Sequence, residues 1–271
     1  GLSMVELLVA LAISSILLLG ISTIFLDSRK TDKLGVSLSR IQETGRFAID
    51  FLAKDVRMAG YQGCIDPQSI GLANIASNPP TIDLFSTSVR GFEVDNNTTW
   101  ADGTEFDGEA IEADALIGSD VIAIQGATAA SAKPTGVLTN LTGQIQLSNN
   151  DMGFQQNDIV IVSDCESADM FRISNNPGTG AINLAHGVGV NTEGNGPKLS
   201  ALYDVDANIM MFESVAYFVA ATGRTNVRGD SINALYRLTD NLVNGASTFT
   251  TEELVEGVDS MQILYGERLA T

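Results

Sequence analysis

A chain of 271 residues that is 44% apolar and 18% charged can bury a sizeable core, and its composition excludes wholesale disorder. Its 26 glycines and 6% aromatic content favour a loop-rich β protein over a helical bundle. The formal net charge of −18 lies almost wholly in residues 60–271, which hold eight basic against twenty-seven acidic side chains, and a body so acidic repels nucleic-acid phosphates.

The first element is an uncharged apolar run over residues 7–26. As a helix it spans about 30 Å, the thickness of a bilayer core. A secretory signal or a plain membrane anchor would share that property. Glu6, at the head of the run, fits neither, because a carboxylate at bilayer depth costs about 2.5–3.5 kcal/mol and calls for a partner. The pattern Gly1-Leu2-Ser3-Met4-Val5-Glu6-Leu7-Leu8 resembles the prepilin signature. That resemblance implies cleavage by a prepilin peptidase between Gly1 and Leu2, with Gly1 the last leader residue and Glu6 the fifth of the mature chain. Cleavage would leave an ammonium on Leu2. Glu6 of one subunit would then meet Leu2 of its neighbour, neutralising both groups and setting the register of assembly. The helix dipole favours a carboxylate at this end.

From Asp27 to Arg57 seven basic residues face five acidic ones. Apolar residues recur at Leu34, Leu38, Ile41, Ala48, Leu52 and Val56, one face of an amphipathic helix, with Gly45 filling the middle step and Phe47 and Phe51 widening the stripe. No proline precedes Pro67, Gly20 is the one weak point within the apolar run, and Gly60-Tyr61-Gln62-Gly63 gives the stop. The spacing predicts one stem helix over residues 1–59, of which 1–26 form the membrane or filament core and 27–59 pack a stripe against a head of residues 60–271.

In the head, β-like runs bounded by turn residues occur at 120–125, 144–147, 158–162, 170–173, 209–220, 234–238 and 253–265, the last with a break at Gly257. One long helix followed by such strands reads as α+β with a mainly antiparallel sheet. Residues 74–118 are the least regular stretch, and a long loop of this kind reads as an exposed contact surface. If the head lies outside the cytoplasm, one disulfide between Cys64 and Cys165 is the simplest reading of the only two cysteines.

Few residues suggest chemistry. Glu93, Asp95, Asp102, Glu105, Asp107, Glu109, Glu112 and Asp114 are dense enough to attract calcium, but their spacing fits no EF-hand loop and the run reads as a solvated face. His186 is the lone histidine, with no nucleophile motif beside it. Neither a phosphate-binding loop nor a strand-linked dinucleotide fingerprint is present, so no cofactor, metal site or enzymatic activity is expected. Met210, Met211, Phe212, Tyr217 and Phe218 read as buried strand residues. Trp100 reads as a locally buried aromatic, with an exposed anchor for a partner as the alternative.

Four blocks carry a closer resemblance: residues 40–64, from Arg40-Ile41-Gln42-Glu43 to Gly60-Tyr61-Gln62-Gly63-Cys64; Ser163-Asp164-Cys165-Glu166 through Phe171; Ala234-Leu235-Tyr236-Arg237; and Glu253-Leu254-Val255-Glu256-Gly257 through Tyr265-Gly266. Together they resemble the PilW family of minor pilins and, more distantly, the J-type pseudopilin of type II secretion. The resemblance implies the pilin lollipop, a helical stem carrying a β-sheet head. It also implies a subunit that primes filament assembly and sits at or near the tip of a type IV pilus. Its implied partners are other pilins through the N-terminal helix, the prepilin peptidase, the inner membrane before assembly, and a tip adhesin. The head would be periplasmic first and extracellular after assembly. Family members often continue past the Tyr-Gly pair into an aspartate- and glycine-rich loop, which is not carried over here. Within the class, a principal filament subunit or a pseudopilin remains open. The reading from another class is a membrane-anchored extracytoplasmic binding protein or enzyme.

Overall fold

The computed structural model describes residues 3–66, 70–77, 88–94, 115–243 and 246–266, with the side chains of 240–249 left aside. Among these residues one helix, α1 (Met4–Met58), is followed by ten strands: β1 (Ala73–Asn74), β2 (Val89–Glu93), β3 (Asp120–Ala127), β4 (Ile145–Leu147), β5 (Ile159–Ser163), β6 (Ala168–Arg172), β7 (Ile182–Leu184), β8 (Asn208–Thr225), β9 (Ser231–Val243) and β10 (Ala246–Glu256). The architecture is α+β. Two compact units are distinguished, residues 1–47 and 48–271, so the last turns of α1 belong with the sheet.

The larger sheet runs β1-β6-β5-β8-β3-β2, with β9 on β8 and β10 on β9. Every pairing in it is antiparallel except the short β1–β6 contact. β8 is the spine, joining β5 through residues 208–211, β3 through 212–217 and β9 from Val215 onward. β4 and β7 form a separate two-stranded sheet.

β3, β5 and β6 are buried along almost their whole length, because both of their faces are covered. Successive side chains along a strand therefore enter different cores. Val160, Val162, Phe171 and Ile209 face a core completed by Ile145, Leu147, Ile182 and Leu184 of the small sheet. Ile159, Ile161, Met170 and Met210 face the opposite side. On β3 and β8, Ile122, Ile124, Val215, Tyr217 and Val219 meet Ala48, Leu52 and Ala59. Val121, Ala123, Ala216, Phe218 and Ala220 point the other way, where Phe218 stacks on Tyr236 with ring centroids 5.7 Å apart.

The helical stripe differs from the predicted one. Leu34, Leu38 and Ile41 are exposed, as are Phe47, Phe51 and Val56, so the aromatic pair does not widen the packed face. Ala48, Leu52 and Ala59 make the apolar contact, with Asp55 and Met58 half-buried on the same side. The face is offset because small residues permit a closer approach to the sheet. At Gly126 of β3 an added Cβ would lie 2.6 Å from the Met58 carbonyl. The helix stops at Gly60, which takes φ 70, a left-handed conformation open to glycine. Its amide donates to Gln125 O at 2.8 Å, and the Ala127 amide donates to Tyr61 O at 2.8 Å, stitching the helix end to β3.

The predicted strand over 253–265 ends earlier, at Glu256, because Gly257 turns away at φ 84. Residues after it are irregular but docked: Asp120 N donates to Met261 O at 2.8 Å, and Ile263 N donates to the Asp120 carboxylate at 2.6 Å. Tyr265 lies over Gly91, where a Cβ would collide with its ring. The irregular stretch 74–118 contains β2 and the end of β1; Trp100 and the acidic residues from Asp95 to Asp114 lie outside the described residues.

Candidate functional site

Three places hold the residues singled out above: the start of α1, its end, and the disulfide. At the start, Ser3 and Glu6 form a capping box. The Val5 amide donates to Ser3 Oγ at 3.3 Å, and the Ser3 amide donates to Glu6 Oε2 at 2.9 Å. Both groups thereby satisfy amides that the first helical turn leaves without partners. The Ser-x-x-Glu spacing was a legible signal for this, and reading Glu6 only as an assembly residue missed it. Gly1 and Leu2 lie outside the described residues. No side chain of α1 is fully buried, and the apolar residues from Met4 to Leu26 are exposed. Among the described residues α1 is the one helix long and apolar enough to cross a membrane. Charges resume directly after Leu26: Asp27 pairs with Lys30 at 3.3 Å, and the Arg29 guanidinium lies 4.8 Å from the centre of the Phe25 ring.

At the end of the helix a polar network ties Asp55 to the sheet. The buried Tyr217 hydroxyl donates to Asp55 Oδ2 at 2.6 Å. Arg237 brings Nε to 3.4 Å from the same carboxylate and Nη2 to 2.7 Å from Glu213 Oε1. Burial pushes the Tyr217 phenol up, and the hydrogen bond to Asp55 and its charge add to the shift. Asp55 and Arg237 come from two separate blocks of the family resemblance, and no spacing in the sequence foretold their meeting.

Cys64 and Cys165 are joined, with Cα atoms 4.7 Å apart. Cys64 follows the helix stop. Cys165 sits in the β5–β6 turn at φ 72, where Asp164 Oδ1 accepts from the Glu166 amide at 3.1 Å and the Ser167 amide at 2.8 Å. The bridge thus fixes the segment leaving α1 to the turn between β5 and β6.

His186 is buried against Phe171, with Nδ1 2.8 Å from Pro197 O and Nε2 2.8 Å from Gly143 O. Backbone carbonyls occupy both ring nitrogens, so the side chain braces loops. Sequence reading also passed over Asp169, which is fully buried on β6. Its carboxylate accepts from the Ser200 amide at 3.0 and 2.9 Å, the Ser200 hydroxyl at 2.8 Å and the Tyr203 hydroxyl at 2.6 Å. Burial raises its pKa, against the lowering effect of those hydrogen bonds. Met210, Tyr217 and Phe218 are buried, while Met211 and Phe212 are half-buried.

The described residues converge on no reaction centre; what they build is a long apolar helix and a head cross-linked to its end. Comparison of the chain with protein-family models, with curated proteins and with solved structures finds no match.

Proposed function

We propose that this chain is a minor pilin of a type IV pilus, a subunit that helps to start filament assembly and stays at or near the tip. The observation that carries this reading is the form of α1: 55 unbroken helical residues, exposed and apolar over the first half, with Glu6 the one acid ahead of Asp27. A plain anchor has no use for an acid at that depth. In the unassembled subunit the capping contact occupies one carboxylate oxygen, and the other is left for the amino group of Leu2 on a neighbouring subunit. The helix sits first in the inner membrane with the head in the periplasm, and then enters the filament among other pilins. The resemblance of residues 40–64 to PilW-type pilins favours a minor over a principal subunit, and the head carries no catalytic role.

Replacing Glu6 tests this. Glu6→Ala leaves the head folded and the helix inserted, because the hydrogen bond it removes is made to Ser3 within the first turn of the helix. Its amount in sheared filaments should fall about tenfold or more, the factor that about 1.4 kcal/mol of lost pairing produces. Normal incorporation would instead favour a membrane-anchored extracytoplasmic domain.

A further inference from the structure

The turn joining β8 to β9 runs Asn226-Val227-Arg228-Gly229-Asp230, and all five residues are exposed. Beyond Ala221 and Asn233 the two strands form a backbone ladder only with each other among the described residues, and Arg224 at the base of the arm pairs with Glu253 and Glu256 of β10. Asn226 holds the shape of the turn. Its Oδ1 accepts from the amides of Arg228 at 2.8 Å and Asp230 at 3.0 Å, and its Nδ2 donates to Asp230 Oδ2 at 3.0 Å. The Gly229 amide donates to Asn226 O at 3.0 Å, and the Asn226 amide donates to Asp230 O at 2.9 Å. Gly229 takes φ 88, which a residue with a Cβ rarely adopts.

A turn knitted in this way is already ordered, so a partner that binds it has little ordering cost to overcome. Among the described residues the Arg228 guanidinium has no ion pair, and Asp230 keeps one carboxylate oxygen free. Two opposite charges on either side of a single glycine form a bipolar tip, on a chain whose net charge is otherwise strongly negative. A guanidinium is read best by carboxylates in bidentate geometry, and a carboxylate with a free oxygen is read best by a hard divalent cation.

We infer that the Arg228-Gly229-Asp230 tip is a receptor-binding site. Its partner is a cell-surface receptor whose cleft sets carboxylates opposite the arginine and a bound divalent cation opposite the aspartate. This requires only that the head face the outside of the cell; it stands whether or not the chain enters a filament.

The test uses the full chain in detergent micelles, captured on a surface, and the purified Mn²⁺-loaded ectodomain of an integrin that reads arginine–glycine–aspartate. The expected result is saturable binding that EDTA abolishes. Asp230→Glu, which keeps the charge but moves it by one methylene, and Arg228→Ala should each weaken binding about tenfold or more. Binding that survives EDTA, that Asp230→Glu leaves unchanged, or that only Arg228→Ala weakens, would be general charge attraction and would overturn the proposal. So would an absence of binding by the wild-type chain.

Discussion

Asp169 takes a carboxylate into the interior of the head, and Ser200 and Tyr203 supply its donors there. Desolvation outweighs those donors, so its pKa in the fold stands above the ordinary 3.8, and burial shifts Asp158 in the same direction. The consequence for stability has a definite sign. Below pH 3.8 the side chain is protonated in both folded and unfolded chains, and its contribution is fully present. As pH rises through the folded value, the unfolded chain loses its proton first, and that contribution is lost. Asp169→Asn removes this titration. Urea unfolding across the acid range should show the stability of the wild type falling relative to that of the variant as pH rises. A difference independent of pH would mean that Asp169 does not titrate abnormally. None of this was legible in the sequence, where Asp169 is one acid among many; only the arrival of Ser200 and Tyr203 beside β6 gives it a role.

The end of α1 shows what an element gains from partners distant in the chain. A helix whose apolar contact is two alanines and a leucine buries little surface, and the Asp55 network adds direction to it. Asp55→Ala leaves the buried Tyr217 hydroxyl without its acceptor and takes one of two neighbouring carboxylates from the half-buried Arg237 guanidinium, which keeps Glu213. It should cost about 2–4 kcal/mol in chemical unfolding. Tyr217→Phe removes one hydrogen bond and should cost about 1 kcal/mol. Equal, negligible effects would show that apolar packing alone holds the helix end. Helix periodicity was read correctly from the sequence, and the packed face in part: Ala48 and Leu52 of the predicted stripe make the contact, and Val56 does not. Leu34, Leu38 and Ile41 have the right spacing but are exposed, while Ala48, Leu52 and Ala59 pack on the sheet near Gly126, which leaves room for the helix backbone.

For the whole molecule, acidity and the shared helix set the limits on truncation. A chain beginning at Asp27 lacks the apolar run but keeps Ala48, Leu52, Asp55 and Ala59. It should be soluble, monomeric and cooperative in thermal unfolding, with its acidic surface keeping copies apart near neutral pH. A chain beginning at Gly60 loses those contacts and bares the face formed by Ile122, Ile124, Val215 and Val219, so it should melt lower or aggregate. Equal melting temperatures by calorimetry would show that the helix end is no part of the core.

The sequence by itself determined the span and continuity of the helix, the apolar run that suits a membrane, most of the strands and the pairing of the only two cysteines. These rest on local periodicity or on there being a single choice. The short strands β1, β2 and β7 escaped: β1 has only two residues, and β2 lies inside the stretch read as an irregular loop. Only the tertiary structure decided that β8 would serve as the spine, that Asp55 would meet Tyr217 and Arg237, and that Gly91 would lie beneath Tyr265. Such meetings depend on the order of strands in the sheet. That order is chosen by the whole set of buried faces at once, and no window of neighbouring residues contains it.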